Sequence, residues 1–114
     1  MITTSADLLA RHSQPAMAAL DAVEAARLLA LVPEWALEDG KLVRTFTFKN
    51  YYRTMAFVNA LAYLSHTEDH HPEMTVTYNR CIVRYDTHSA HGLSDNDFIC
   101  AAKADALYDR AVTA

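Results

Sequence analysis

Residues 35–48 have the sequence WALEDGKLVRTFTF, which contains the first strand patterns of the chain. Its beginning alternates as a short strand does, and residues 41–48 alternate again with leucine and phenylalanine on one side. Asp39 and Gly40 lie between them, and both tolerate the positive φ that a two-residue hairpin turn requires. The stretch therefore predicts an antiparallel hairpin. Arg44 shares the side of the apolar residues, so we do not expect that face to be apolar along its full length.

A second pair of strands is predicted further along the chain. Residues 74–78 and 81–87 alternate as strands and are joined by a short connection. In the second of these strands Cys81, Val83 and Tyr85 share one side. The two strand pairs together indicate an antiparallel sheet.

Three helices are predicted around the strand pairs. Asp21 is placed to cap an Ala/Leu-rich helix, and Asn50 is placed to cap a long helix over residues 51–67. Ser94 begins a last helix over residues 95–111. The order α-β-β-α-β-β-α predicts an α+β domain, in which a four-stranded antiparallel sheet carries three helices packed on one face.

The composition indicates one globular domain. The chain has 114 residues, of which 52% are hydrophobic, and this is enough to form a core. We expect the domain to span residues 20–114. Residues 1–19 are expected to form a loosely attached, partly flexible extension with a short helical turn at residues 6–12. The net charge of −4, without a basic run, argues against nucleic acid as a direct partner.

The same sequence indicates a cytoplasmic location. Cys81 and Cys100 lack CxxC spacing, which suits a reduced protein better than a disulfide scaffold. The first residues are interrupted by charges, so no secretory signal peptide is expected. No stretch approaches the roughly 18 apolar residues of a membrane span, so no membrane partner is expected.

The histidines cluster in the second half of the chain, and a metal site is one interpretation. His66 and His70 would share a helical face, and His71 and His88 could complete a ligand set. The zinc-protease signature, however, requires glutamate where this chain has Thr67. Neighbouring side chains such as those of residues 70 and 71 point apart, whereas catalytic zinc needs convergent ligands. We therefore expect no metal, with a histidine metal site as the alternative.

General acid–base catalysis is the second interpretation. His70 and His71 follow the long helix, and His88 is expected at the end of a strand. A helix end and a strand end can flank one cleft, so imidazoles on its two walls could protonate a leaving hydroxyl and remove a proton elsewhere. One such proton donor and one such proton acceptor are the minimum that an acid–base dehydration requires. Asp97 also has a simpler explanation, because an acid three residues after Ser94 completes a helix-capping box.

Several short motifs follow one another along the chain. They are FTFK (46–49), HTEDHHPE (66–73), VTYN (76–79), TH (87–88) and GLSDND (92–97). In this order and spacing they resemble the pterin-4a-carbinolamine dehydratases, and the resemblance extends from residue 20 to the C-terminus.

The resemblance implies a four-stranded antiparallel sheet with three helices, and assembly into homodimers or homotetramers. It implies dehydration of 4a-hydroxytetrahydropterin to quinonoid dihydropterin, a step that recycles tetrahydropterin after aromatic amino acid hydroxylation. Neither a metal nor an organic cofactor is implied. The family's catalytic residues fall on His70, His71, His88 and Asp97. We expect the pterin substrate to contact Pro72, Glu73, Met74, Thr75, Val76 and Thr87.

The roles of the histidines stay open between two assignments. Either His70 or His88 protonates the departing 4a-hydroxyl, and another histidine removes the ring N–H proton. Two positions depart from the family pattern. Met74 replaces an aromatic residue and cannot stack on a flat ring, and His66 replaces an acid. We therefore expect altered substrate affinity and a lower or broader pH optimum.

Two other functions compete with the enzyme. Some members of the family are dimerisation cofactors that dock on a transcription-factor helix, and the apolar face of the long helix could serve such a role. Self-association through that face is the simpler expectation. A third function is pterin or molybdopterin-related chemistry without hydroxylase recycling. The complete histidine set favours the enzyme over a scaffold that only binds.

Overall fold

The hairpin predicted at residues 35–48 is present and forms one half of the sheet. The computed structural model describes residues 1–15 and 17–113. β1 (Ala36–Glu38) pairs antiparallel with β2 (Lys41–Thr47) across a turn in which Asp39 has a φ of 51° and Gly40 a φ of 75°. Positive φ at both central residues is the geometry of a type I′ turn, whose twist matches that of the strands.

The second predicted hairpin is also present, with shorter strands. It consists of β3 (Glu73–Val76) and β4 (Arg80–Tyr85), and the sheet order is β1-β2-β4-β3 with antiparallel pairs throughout. The prediction extended the last strand to residue 87. The chain instead leaves the ladder after Tyr85, although Thr87 still pairs with Gly92 in an isolated bridge. This bridge explains why the strand-like pattern continues past the end of β4.

Helices accompany the sheet as predicted, and the helical turn expected near the N-terminus is a short helix. They are α1 (Ser5–Ala10), α2 (Ala22–Leu29), α3 (Tyr51–Glu68) and α4 (Asp95–Thr113). The caps predicted for α2 and α3 are confirmed, since the side chains of Asp21 and Asn50 accept backbone hydrogen bonds from Glu24 and Arg53. The α+β class and the four-stranded antiparallel sheet are confirmed as well. Within the described ranges, no helix combines the length and apolarity that crossing a membrane requires.

One face of the sheet is buried against the helices. Leu42 and Phe46 of β2 and Cys81, Val83 and Tyr85 of β4 are 0% exposed. They join apolar residues of α3 and α4 in one core. The alternation in the sequence therefore identified the buried face correctly.

Arg44 interrupts the apolar face of β2, as predicted. Its guanidinium carbon lies 4.4 Å from the ring centroid of Phe46, and its Nη1 lies 2.5 Å from Oδ1 of Asp105. The indole N–H of Trp35 donates to the same oxygen at 2.9 Å. Burial raises the pKa of Asp105, and these two donors oppose the rise. The charge of Arg44 is thus balanced where it meets the core.

The N-terminal residues pack more closely than the sequence indicated. Ile2 is 4% exposed and Leu8 is 0% exposed, and both belong to the core. The helical turn expected at residues 6–12 is helix α1, which Thr4 and Asp7 cap reciprocally. The sequence predicts loose attachment of this segment because so short a helix has few apolar side chains. A sequence pattern of that length does not show that the helix packs against the domain. The division of the chain at residue 20 stays a prediction.

Candidate active site

His70 and Asp97 meet at the centre of the site, although 27 positions separate them in the sequence. Nε2 of His70 lies 2.6 Å from Oδ1 of Asp97. His70 follows the end of α3, and Asp97 lies in the first turn of α4 with its side chain 0% exposed. Because an ionised carboxylate only accepts hydrogen bonds, the ring hydrogen belongs on Nε2. Nδ1 is then the nitrogen that can accept a proton.

Two further donors hold the carboxylate of Asp97. Its Oδ2 accepts from the hydroxyl of Thr87 at 2.8 Å and from the backbone N–H of Ser94 at 2.9 Å. The hydroxyls of Thr87 and Ser94 lie 2.7 Å apart, and both residues are buried. The contact with Ser94 is the capping interaction that the sequence suggested. One carboxylate therefore caps α4 and binds His70 at the same time.

An aromatic ring covers one side of the His70 imidazole. The ring of Tyr85 lies parallel to it, with centroids 5.8 Å apart and an interplanar angle of 9°. The hydroxyl of Tyr85 is buried and has no hydrogen-bond partner in the part of the chain that the structure describes. Burial raises the pKa of Tyr85 well above its ordinary value, and Cys100 and Asp97 nearby add to the rise. A neutral ring stacked on the imidazole restricts the ring plane of His70.

A cleft of about 700 Å³ brings most of the predicted site residues together. The predicted residues in its wall are His70, His71, Pro72, Glu73, Thr87 and His88. His88 lies on a 3₁₀ turn (His88–Ala90) that follows the bridge at Thr87, and it is exposed. The prediction of a strand end at His88 is therefore wrong, because β4 ends three residues earlier. His70 and His88 nevertheless come from different elements and line the same cleft.

Three predicted substrate contacts lie outside this cleft. Met74 lines a neighbouring hollow of about 360 Å³, which His66 lines as well. Thr75 and Val76 are in the wall of neither cavity as the structure describes them. The hydroxyl of Thr75 accepts a hydrogen bond from Arg84 at 3.1 Å, and Val76 is 40% exposed. Their contact with substrate stays a prediction.

The sequence interpretation missed four residues of the cleft wall and the stacked tyrosine. The missed wall residues are Lys41, Asp69, Asp86 and Ser89. Asp69 follows α3 with a φ of 51°, a conformation that aspartate tolerates better than most residues. Its position next to the histidine pair was the signal that could have identified it. Alternation predicted which side of its strand Tyr85 lies on, but it does not indicate which ring Tyr85 meets.

Two overlapping sets of histidines line the two cavities. His66, His70 and His71 line the neighbouring hollow, and His70, His71 and His88 line the cleft. Among the described residues, no three His, Cys, Asp or Glu side chains are grouped so that they could hold a metal ion.

The sequence matches a known family model over most of its length. The model is described as pterin 4 alpha carbinolamine dehydratase, and it matches residues 18–107. A protein of Nitrosomonas europaea with the provisional name pterin-4-alpha-carbinolamine dehydratase is 52% identical over 111 residues, which cover 94% of this chain and 98% of the relative. A protein of Stenotrophomonas maltophilia with the same provisional name is 60% identical over 87 residues, 75% of either chain.

Solved structures with the same fold include two that differ in their described roles. A transcriptional coactivator/pterin dehydratase from Brucella melitensis superposes with a TM-score of 0.75 at 32% identity, covering 79% of this chain and 98% of that one. A pterin dehydratase-like protein described as a RuBisCO assembly factor in the alpha-carboxysome superposes with a TM-score of 0.55 at 27% identity. That match covers 65% of this chain and 86% of the neighbour.

Proposed function

The chain belongs to the pterin 4 alpha carbinolamine dehydratase family, and from this membership we propose that it dehydrates 4a-hydroxytetrahydropterin to quinonoid dihydropterin by histidine acid–base catalysis. The reaction would recycle tetrahydropterin after aromatic amino acid hydroxylation. The hydrogen bond between His70 and Asp97 is the observation that carries the proposal. A buried carboxylate that orients an imidazole at the wall of a cleft is an arrangement suited to proton transfer.

His70 is proposed as the general base. Asp97 holds the hydrogen on Nε2, so Nδ1 takes the ring N–H proton of the substrate. The electron pair released at the ring nitrogen forms a C=N bond, and the C4a–O bond breaks. The positive charge that develops on the imidazole is stabilised by the buried carboxylate next to it.

His88 is proposed as the general acid. It lines the same cleft from the 3₁₀ turn that follows β4 and is exposed to solvent, from which it can regain its proton. Its proton joins the departing hydroxyl, so the products are quinonoid dihydropterin and one water molecule. His71 and Glu73 also lie in the cleft wall and are proposed to bind the pterin. Thr87 acts through Asp97, since its hydroxyl is bonded to that carboxylate.

The proposal is tested by the absorbance change of freshly generated 4a-hydroxytetrahydropterin. We expect the wild-type protein to accelerate dehydration equally with and without a chelator, and His88→Ala to lose about 10²-fold or more of the rate. His91→Asn is the matched control. Its ring lies 6.4 Å from that of His88 on the same turn, and asparagine tolerates the φ of 55° at this position. If the wild type shows no turnover above background, the proposed dehydratase function is wrong.

A binding role is the second candidate, and an exposed face of α3 favours it. Tyr52 and Tyr63 are 80% and 74% exposed on this helix. We propose that this face joins copies of the chain into a homodimer or homotetramer, and that docking of a partner helix is the alternative use of it. Light scattering of the wild type and Tyr52→Lys tests the assembly. If Tyr52→Lys dehydrates normally but no longer assembles, the two roles are separate.

We also propose that the protein works in the cytoplasm. Cys81 and Cys100 are both free thiols in the structure, which fits a reducing compartment. Detection of the tagged protein in fractionated cells tests this location.

A further inference from the structure

Residues 12–14, here called the strap, lie across the junction between α3 and α4. The backbone N–H of Ser13 donates to Oε1 of Glu68 at 2.8 Å, and Nδ1 of His12 lies 2.9 Å from Oε2 of the same carboxylate. The next residue, Gln14, exchanges two hydrogen bonds with Asn96. Its N–H donates to Oδ1 at 2.9 Å, and its carbonyl accepts from Nδ2 at 2.7 Å. The strap therefore bonds one residue on each helix.

The two partners of the strap are close in sequence to the catalytic pair. Glu68 is the last residue of α3 and precedes His70 by two positions. Asn96 lies in the first turn of α4 and directly precedes Asp97. Both are buried, with Glu68 5% exposed and Asn96 6% exposed. The strap thus joins the chain segments that carry the two halves of the His70–Asp97 hydrogen bond.

The carboxylate of Glu68 is held in its ionised form by these contacts. Burial alone would raise its pKa, but the hydrogen bonds from Ser13 and His12 and the charge of Lys103 together lower the pKa of Glu68. Lys103 belongs to α4, and its Nζ lies 3.4 Å from Oε2. Glu68 therefore binds both the strap and α4, so it links three segments at one point.

We propose that Glu68 and Asn96 are positioning residues. Through their hydrogen bonds to the strap, they hold His70 at hydrogen-bond distance from Asp97. The consequence for catalysis rests on the proposed dehydratase function. The role of the strap in holding the two side chains together does not rest on that function, because the His70–Asp97 contact can be observed without substrate. A displacement near 1 Å of a proton-transfer group costs on the order of 10²-fold in rate, so small relaxations at this junction matter. Asp69 is the single residue between Glu68 and His70, which leaves little slack to absorb a shift.

The test compares Asn96→Ala with Ser5→Ala in the full chain. Both substitutions remove hydrogen bonds that attach the N-terminal residues, but Ser5 donates to the carbonyl of Leu31 at 2.8 Å, away from the catalytic pair. We expect Asn96→Ala to broaden or lose the ¹⁵N-resolved Nε2–H resonance of His70 and to lower kcat about tenfold with little change in KM. Ser5→Ala should change neither quantity.

Two further variants distinguish loss of the strap hydrogen bonds from a general loss of folding. Asn96→Asp keeps the acceptor for the N–H of Gln14, and Glu68→Gln keeps an acceptor for Ser13, so both should retain part of the resonance and of kcat. Far-ultraviolet circular dichroism identifies any variant that does not fold. An unchanged Nε2–H resonance in folded Asn96→Ala overturns the proposal, and so does a fall in kcat without a change in that resonance. If the wild type does not dehydrate the pterin, the proposed function fails while the resonance still decides the role of the strap.

Discussion

Asp97 has two structural roles, and each of its oxygens serves one. Oδ2 closes the cap of α4 through Ser94, and Oδ1 binds His70. The sequence offered capping and catalysis as rival explanations, because the three-residue spacing between Ser94 and Asp97 is visible in one chain and a contact over 27 positions is not. The candidate residues at 70, 71, 88 and 97 could be named from motifs. The pairing among them depends on where α3 and α4 meet, which no local pattern specifies.

The stacking of Tyr85 on His70 leads to a prediction at the level of single side chains. Tyr85→Phe removes a buried hydroxyl that has no partner among the described residues and keeps the ring. Since an unsatisfied buried polar group costs about 1–3 kcal/mol, the free energy of unfolding should rise or stay equal, and the dehydration rate should not change. Tyr85→Leu removes the stacked ring and should lower the free energy of unfolding by about 2 kcal/mol.

Urea denaturation and steady-state kinetics of the two Tyr85 variants check this. The Leu variant should also lose kcat, because the imidazole plane is less restricted. Equal kcat in Tyr85→Leu and Tyr85→Phe would show that the ring has only a packing role.

Among the elements, the hairpins and helix starts were predictable and the element ends were less so. Local side-chain and backbone preferences specify these features. The turn forms at Asp39-Gly40, and the helix caps form at Asn50 and Ser94. The end of β4 could not be located from alternation, because the bridge between Thr87 and Gly92 extends the pattern beyond the ladder. Helix α1 was recognised only as a turn, since its stability depends on burial of Leu8.

The first hairpin supports a prediction for the two glycines of the chain. Gly40 has a φ of 75° and an added Cβ would have no heavy atom within 4 Å, so Gly40→Ala adds backbone strain without a clash. We expect a loss of about 1 kcal/mol in the free energy of unfolding. Gly92→Ala is the control, because its φ is ordinary and its Cβ would lie 3.7 Å from that of Ala19.

Thermal and urea unfolding of both glycine variants provide the measurement. Gly92→Ala should stay close to the wild type, since 3.7 Å is an ordinary van der Waals contact. A larger loss in Gly92→Ala than in Gly40→Ala would contradict the assignment of the type I′ turn.

For the whole molecule, a single core connects the sheet, the helices and the N-terminal residues. Composition predicted that such a core exists, and alternation predicted the contribution of β2 and β4 to it. Ile2 was not predictable as a core residue, because an isolated apolar side chain near a terminus gives no periodic signal. Cys81 and Cys100 are both 0% exposed in this core, as expected for cysteines without a partner.

The buried thiols lead to a prediction about reactivity and pH. Burial raises the pKa of Cys81 to about 11 and that of Cys100 to about 12, with the charges of Glu68 and Asp97 adding to the second. At pH 8 only about one Cys81 side chain in a thousand is then a thiolate, so native protein should react very slowly with iodoacetamide. Unfolded protein should react at least about 100-fold faster at the same pH.

The raised pKa values of the two thiols also predict how the free energy of unfolding changes with pH. Between the ordinary thiol pKa of 9.0 and the raised native pKa, the folded state binds more protons than the unfolded state. The free energy of unfolding should therefore fall as the pH rises above 9. Urea midpoints at pH 8 and pH 10 for the wild type and Cys100→Ala check this, and equal pH dependence in both proteins would contradict it.

The decisive measurement is the single-turnover dehydration rate of His70→Ala beside that of His66→Ala. His66 lies on the same helix end and is exposed in the neighbouring hollow, whereas His70 is bonded to Asp97 at the wall of the cleft. With 4a-hydroxytetrahydropterin and excess enzyme, we expect His66→Ala to stay within about twofold of the wild type and His70→Ala to fall by about 10²–10⁴-fold. A wild-type rate in folded His70→Ala would contradict the assignment of His70 and Asp97 as the proton-transfer pair.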